Sequence, residues 1–477
     1  MKRKLETMNP EGESSPSNRL FVEEIPVWYQ QNGKVSPKWL SACREERNQT
    51  QALMEQIADP LNLKEALKAV VRNGGSGGVD KMQVKELKEW FQKNLTDLQR
   101  QLLQDEYRPQ PVKGVRIPKP KGGYRQLGIP TVKDRLVQQA IHQVLNRMYE
   151  KSFSENSFGF RPKRGAHQAL ACAANYVQEG KSTVIDIDLE KFFDEVHHHR
   201  LLWMLGTRIG DRRLINLIHR FLKTGILEGG LMQQRIKGTP QGSPLSPLLS
   251  NIVLDELDQE LGRRGLSFVR YADDMQIFVG SRQSAERVME GITEFIRKKM
   301  RLKVNKEKSA IRKYYETNFL GHSLLTKARI GLSKSSEERL KNKLKIITKR
   351  NRGVSLGAIL HELKPVLRGW LQYFKHASMQ SKLTKIESWL RRRLKCFRLK
   401  QCKRVIGIVR FLRKLGVEEK LSWRTALSGK GWWRLSNSPA LNMGMSNKWF
   451  SEQGFYSLTE NYKRLHCNPL YVKPPYT

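Results

Sequence analysis

Phe268-Val269-Arg270-Tyr271-Ala272-Asp273-Asp274-Met275-Gln276-Ile277-Phe278-Val279 reads as strand, tight turn, strand. β-Branched and aromatic residues flank the stretch, and its only carboxylates sit in the middle. Two adjacent acids are thereby presented at the tip of a hairpin. Asp is also a common turn residue, so the pair takes its meaning from the rest of the chain.

A second acidic strand lies upstream, at residues 182–189. Alternation places Val184, Asp186 and Asp188 on one face and Thr183, Ile185, Ile187 and Leu189 on the other. Two carboxylates on one face of a buried strand are costly to desolvate unless something pairs them, and a divalent cation would do so. Asp188 and Asp273 are 85 positions apart (273 minus 188). A strand and a neighbouring hairpin can still bring them together. Nucleotidyl transfer uses two divalent cations about 3.5–4 Å apart, and Mg2+ takes carboxylate, phosphate and water oxygens. Phe192-Phe193-Asp194 is expected to close the strand, with a helix opening near His197. The run His197-His198-His199 suggests a metal site, but neighbours on a helix point apart and do not converge on one ion.

The bulk composition agrees with an anionic partner. Lys plus Arg number 87 against 46 Asp plus Glu, a formal charge of +41. Such an excess repels itself unless a polyanion neutralises it, which points to nucleic acid. No apolar run is long enough to span a membrane, and Met1-Lys2-Arg3-Lys4 leads into polar residues, unlike a signal peptide. Cys43, Cys172, Cys396, Cys402 and Cys467 are scattered, with no C-x-x-C spacing. Reduced thiols are expected, and neither a disulfide framework nor an all-cysteine zinc module.

Residues 1–50 read as a polar extension, with the first twenty disordered. Helical periodicity over 51–73 and 82–104 brackets Asn73-Gly74-Gly75-Ser76-Gly77-Gly78, a flexible turn without the ending of a P-loop. Residues 112–130 form a hairpin about a Lys-Gly-Gly turn, carrying Lys113, Arg116, Lys119, Lys121 and Arg125. A basic hairpin suits a triphosphate or backbone clamp. It suits a solvated sheet edge equally well. Helices follow over 131–151 and 165–179, and a Gly/Pro loop from Gly238 feeds a helix running to about 258. Residues 283–301 read as helix and 302–325 as a strand pair. Beyond 334 helices dominate, one of them kinked or split at Pro365. Between Lys382 and Arg404 stand ten basic residues and one acid, Glu387. Repulsion among them favours an anionic partner over a plain solvated face. Four of the ten tryptophans fall between 423 and 449, interleaved with basic residues, which suits stacking on unpaired bases. Some of those rings are expected to fill a small core instead.

Tyr271-Ala272-Asp273-Asp274 resembles the active-site box of reverse transcriptases, and the likeness extends along nearly the whole chain. In the family's order stand Asn73-Gly74 to Asp80, Ile117-Pro118-Lys119-Pro120 to Arg125, Phe158-Gly159-Phe160-Arg161-Pro162, Asp188 to Phe193-Asp194, Thr239-Pro240-Gln241-Gly242-Ser243-Pro244, Leu302-Lys303-Val304-Asn305 to Lys308, and Phe319-Leu320-Gly321. Leu367-Arg368-Gly369-Trp370 to Phe374 and Gly431-Trp432-Trp433-Arg434-Leu435 resemble the thumb and C-terminal portions of group II intron-encoded reverse transcriptases with maturase activity. The resemblance implies an α+β right-hand polymerase: fingers over 51–180, a palm with an antiparallel sheet over 181–325, a helical thumb over 326–415, and a basic, aromatic segment over 416–477.

It also implies roles. Asp188 and Asp273 would ligate two Mg2+ ions, with Mn2+ able to substitute, and Asp274 would be the third carboxylate. The family spacing selects Asp188 over Asp186. Leu189 would contact phosphates through its backbone, and Phe193 would sit under the sugar and reject a 2′-hydroxyl. Gln241 and Gly242 would line the nucleotide pocket. Lys119 and Arg125, with Lys113, would hold the triphosphate, and Lys308 would serve phosphate or proton chemistry. Arg391, Arg392, Arg393, Lys395, Arg398, Lys400, Lys403 and Arg404 would bind RNA. Expected partners are the parent group II intron RNA, an RNA template with a DNA primer, deoxynucleoside triphosphates and target DNA, in a cytoplasmic or organellar setting. Only Cys467 and His466 stand where many relatives carry a histidine- and cysteine-bearing endonuclease module, so primers are expected from elsewhere. A splicing-only maturase, or a domesticated reverse transcriptase in phage defence or DNA repair, would share these motifs.

Overall fold

The computed structural model describes residues 45–118 and 122–467. The expected disorder of the first twenty residues, and Lys119 and Lys121, lie outside them. Ten strands are described: β1 (Val112–Pro118), β2 (Tyr124–Ile129), β3 (Thr183–Ile187), β4 (Ile226–Glu228), β5 (Leu231–Gln233), β6 (Ser267–Tyr271), β7 (Asp274–Val279), β8 (Ala310–Lys313), β9 (His322–Leu324) and β10 (Ile330–Leu332).

The central sheet has the order β6-β7-β3-β8, with antiparallel neighbours throughout. Each strand presents alternate residues to opposite sides, and both sides are covered. Ile185, Ile187, Phe268, Met275 and Ile277 join one core with the helices Pro60–Asn73, Leu87–Leu103, Val132–Tyr149 and Ser246–Arg263. Val184, Val269 and Phe278 join a second core with the helix Ala166–Gln178 and the helices beyond Lys334. The central sheet is the antiparallel sheet expected of the palm. A second sheet, β2-β1-β4-β5, joins two strands from the span expected to form the fingers to two, β4 and β5, from the span expected to form the palm, with β1 and β4 parallel and the other neighbours antiparallel.

The helices Lys334–Ile347, Leu356–Phe374 and Gln380–Gln401 build the thumb. The short helices after Val405 pack on it in the same core through Leu435, Leu441, Phe450 and Leu458. No helix among the described residues is long and apolar enough to cross a membrane.

Several local expectations change. The Gly74–Gly78 turn is not loose, because Arg135 donates from Nη1 to the Gly74 carbonyl (3.0 Å) and from Nη2 to the Ser76 carbonyl (2.7 Å). Phe192–Glu195 is a short helix rather than the close of a strand. Residues 302–325 hold no strand pair of their own. β8 joins the palm against β3, while β9 pairs with β10. Pro365 does not split its helix in two: Leu356–Phe374 is continuous. Pro365 and His361, whose carbonyl loses its usual N–H partner, are both exposed, so water can take that bond.

Candidate active site

β6 and β7 are joined by Ala272 and Asp273, with Ala272 at φ 57°. Left-handed backbone is uncommon for a residue with a Cβ, so the turn needs support. It comes from Arg270, which is fully buried. The Arg270 guanidinium donates from Nη1 to the Ala272 carbonyl (3.0 Å) and to Asn251 Oδ1 (3.0 Å). Its Nε and Nη2 bond the buried carboxylate of Asp258 at 2.8 and 2.5 Å. From the other side, Asn156 and Phe158 hydrogen-bond the Arg270 backbone. Asn251 Nδ2 donates to the Gly159 carbonyl (2.9 Å). A Cβ on Gly159 would lie 2.2 Å from the Ala272 nitrogen, so only glycine lets these backbones meet. Sequence reasoning misses Arg270, Asp258, Asn251 and Gly159 as parts of the site. A signal is there to be read: an arginine among apolar strand neighbours is unusual unless it is paired.

Asp188 follows directly after β3. Its N–H donates to Ser309 Oγ (3.0 Å) and its carbonyl accepts from Asn305 N–H (2.8 Å). Glu190 N–H reaches the Lys303 carbonyl at 2.8 Å, and Leu189 bridges Val304. The segment around residues 303–309 thus fixes the exit of the strand. Lys308 Nζ lies 3.2 and 3.4 Å from the two Asp188 oxygens. Asp186 is engaged elsewhere, accepting from Gln276 Nε2 and Arg312 Nη1, both at 2.6 Å.

Asp186, Asp188 and Asp274 line one cavity of about 390 Å³, together with Lys308 and Arg312. Burial by the surrounding protein pushes the Asp274 carboxyl up to about 6, and the charges of Asp273, Asp188 and Asp186 add to the shift, while Lys308 opposes it. Asp274 is nonetheless exposed towards the cavity, so like-charge crowding is the part of this effect with functional meaning. Among the described residues no three His, Cys, Asp or Glu side chains converge closely enough to hold a metal. Asp188 instead faces the Lys308 ammonium. The donor set itself, all carboxylate oxygen and mutually repelling, suits a hard divalent cation.

The residues expected around the nucleotide lie on several elements. In the β1–β2 register Lys113 lies opposite Ile129, and Ile117 opposite Arg125, so Lys113 and Arg125 share one face of the hairpin. Both are exposed. Arg116 is on the other face, paired with Glu228 at 2.6 Å. The loop with Gln241 and Gly242 is tied to this hairpin, because Gly128 N–H donates to the Gln241 carbonyl (2.9 Å). A Cβ on Gly242, at φ 117°, would meet the Gly128 carbonyl at 2.9 Å. Phe193 is half-buried, and its carbonyl accepts from Thr239 N–H at 2.7 Å. Lys119 is outside the described residues. A larger cavity of about 790 Å³ shares Asp274 and Asn318 and continues to Arg339, Trp370 and Tyr373 of the thumb.

The basic helix Gln380–Gln401 does not present its charges as one surface. Glu387 is buried and pairs with Arg391, and it also accepts from Thr459 N–H (2.8 Å) and Ser457 Oγ (3.1 Å). Its role is to anchor the last described helix. Arg392 stacks over Trp433 at 4.0 Å and donates to its carbonyl (2.9 Å). Arg393 bonds Thr348 Oγ1 (2.7 Å), and Arg398 stacks over Phe411 at 4.6 Å. Lys395 is buried, bonded to Asn442 Oδ1 (2.7 Å), and its ammonium is pushed down to about 8 by burial and by Arg391. Lys395 is therefore a packing residue and not an exposed RNA contact. Lys400, Lys403 and Arg404 remain exposed.

The reverse transcriptase (RNA-dependent DNA polymerase) family matches residues 117–324, and the group II intron maturase-specific domain matches residues 337–416. Protein YkfC of Escherichia coli (strain K12) is 31% identical over 355 residues, 66% of this chain and 92% of that protein. The group II intron-encoded protein LtrA of Lactococcus lactis subsp. cremoris is 39% identical over 165 residues, 34% of this chain and 27% of LtrA. The putative COX1/OXI3 intron 2 protein of Saccharomyces cerevisiae is 29% identical over 273 residues, 45% of this chain and 32% of the relative. A polymerase palm whose acidic hairpin is buttressed by a buried arginine is thus followed by an intron-specific helical domain, and the chain belongs to the group II intron-encoded reverse transcriptase and maturase family.

Proposed function

We propose that this RNA-directed DNA polymerase extends a DNA primer on an RNA template by two-cation nucleotidyl transfer, and that its C-terminal half binds the parent intron RNA to assist splicing and target-primed retrohoming. The observation that carries the catalytic part is geometric: Asp188, at the exit of β3, and Asp274, at the start of β7, line one cavity with Lys308, and Asp273 is the turn residue next to Asp274. Asp188, Asp273 and Asp274 would hold Mg2+ or Mn2+. Bound there, the cations would lower the pKa of the primer hydroxyl and neutralise charge on the triphosphate.

The remaining steps fall to this chain's own side chains. Lys113 and Arg125 project from one face of the fingers hairpin, where they can hold the phosphates of an incoming deoxynucleotide. Gln241 and Gly242, tied to that hairpin through the Gly128 N–H, would line the nucleotide pocket, and Phe193 would refuse a 2′-hydroxyl. Lys308 neutralises Asp188 until substrate arrives, then becomes free to meet phosphate. Lys400, Lys403 and Arg404 offer the outward charge for intron RNA.

Primer extension on an RNA template with Mg2+ tests the assignment. Asp273→Ala is expected to abolish extension and to leave RNA affinity within about twofold, because the carboxylate serves the cations and not the groove. Retained extension would refute it.

A further inference from the structure

A third cavity, of about 670 Å³, opens between the hairpin β4–β5 and the helices Arg212–Lys223 and His198–Gly206. None of its lining residues is shared with the cavities that carry Asp188 and Asp274. His198, His199, His219, Lys223 and Arg235 line it, and no Asp or Glu does. The Nη1 of Arg235 is buried and has no hydrogen-bond partner among the described residues. An arginine donor withdrawn from water without an acceptor is costly. Lys223 enters no ion pair among the described residues and is exposed at the end of its helix. Carboxylates nearby are committed elsewhere: Glu195 to Lys237 (2.6 Å), and Asp105 to Arg220. Asp194 acts on Arg235 through its charge only.

His219 is pushed down to about 4 by burial and by Lys223, His198, His199 and Arg220. His198 shifts the same way through burial, and its Nε2 donates to the Gly238 carbonyl (2.7 Å). His198 and His219 are thus held neutral, and the positive charge of the cavity comes from Lys223 and from Arg235, whose Nη1 is a spare donor. The cavity rim is apolar and open: Met232 is 52% exposed and Ile236 89%. A cationic floor under an apolar rim matches a phosphate group that carries a sugar and base.

We propose that this cavity binds the phosphate of a nucleotide, either free or within a single-stranded nucleic acid, through Arg235 and Lys223. The proposal is independent of the catalytic carboxylates. The test compares wild type, Arg235→Gln, Lys223→Gln and the double variant, each as the full chain in EDTA. Binding of inorganic pyrophosphate is measured by calorimetry, and binding of a short single-stranded RNA across a salt series. If free phosphate is the ligand, the double variant weakens pyrophosphate by at least about tenfold. If the ligand is a strand, pyrophosphate is unaffected and the RNA salt slope falls by roughly 0.7 for each phosphate no longer neutralised. Exposed Lys223→Gln reports even if the Arg235 variant folds poorly, and Arg235→Lys is expected to retain part of the binding. Unchanged pyrophosphate affinity together with an unchanged RNA salt slope would overturn the proposal.

Discussion

Arg270→Met tests how the acidic turn is held. The guanidinium it removes makes an ion pair with Asp258 at 2.5 Å, and both residues are at most 1% exposed. Deleting one partner leaves the Asp258 carboxylate buried and unpaired, which costs about 3–5 kcal/mol. That is a large share of the ~5–15 kcal/mol that holds a typical domain together. Thermal unfolding should fall by roughly 6–20 °C, taking about 2–4 °C per kcal/mol for a domain of this size. Asp258→Leu added to Arg270→Met removes the orphaned charge, so most of the stability should return. Activity should not return with it, because the Ala272 carbonyl still lacks its donor at 3.0 Å. The assays are calorimetry or denaturant unfolding beside primer extension, with extension by the double variant expected to stay at least about tenfold down. A single variant as stable as wild type would refute the buried-charge argument. Full extension by the double variant would refute the tether.

Two further expectations concern charge. Asp274 is protonated below about 6, so divalent-cation affinity should weaken as pH falls through that value. Its folded pKa is raised, so its contribution to cation-free stability is present in acid and lost as pH climbs through about 6. Lys308→Gln removes the positive charge that opposes this shift and should move the low-pH limb of primer extension upward; a midpoint that stays put or moves down would contradict the electrostatic coupling. On the thumb, neutralising Lys400, Lys403 and Arg404 together should flatten the salt dependence of intron RNA binding. Lys395→Met should leave that slope alone and change unfolding instead, and the reverse pattern in filter binding and melting would show the outward residues to be misassigned.

Much of the palm is legible in the sequence because its signals are local. The turn acids in Asp273-Asp274 interrupt an apolar alternation, and Asp188 ends another. What escapes is non-local or short. β4 and β5 have three residues each, and β5 is exposed along its whole length, so no alternation announces them. β8 escapes because its partner, β3, lies more than a hundred residues away. The basic helix looks like a single polyanion surface because sequence gives charge without burial. Only packing shows that Glu387 and Lys395 point into the protein while Lys400 faces out. Pro365 suggests a break in its helix, but the helix runs on through it, with Pro365 and His361 both exposed to solvent.

Counting Mn2+ ions by electron paramagnetic resonance, with primer–template and a non-hydrolysable deoxynucleotide bound, goes straight to the question of whether the palm carboxylates share cations. Wild type should hold two ions, and Asp188→Asn should lose at least one while still binding the primer–template. Two ions retained at undiminished affinity in Asp188→Asn would mean that the cations, if they bind, are held by other groups.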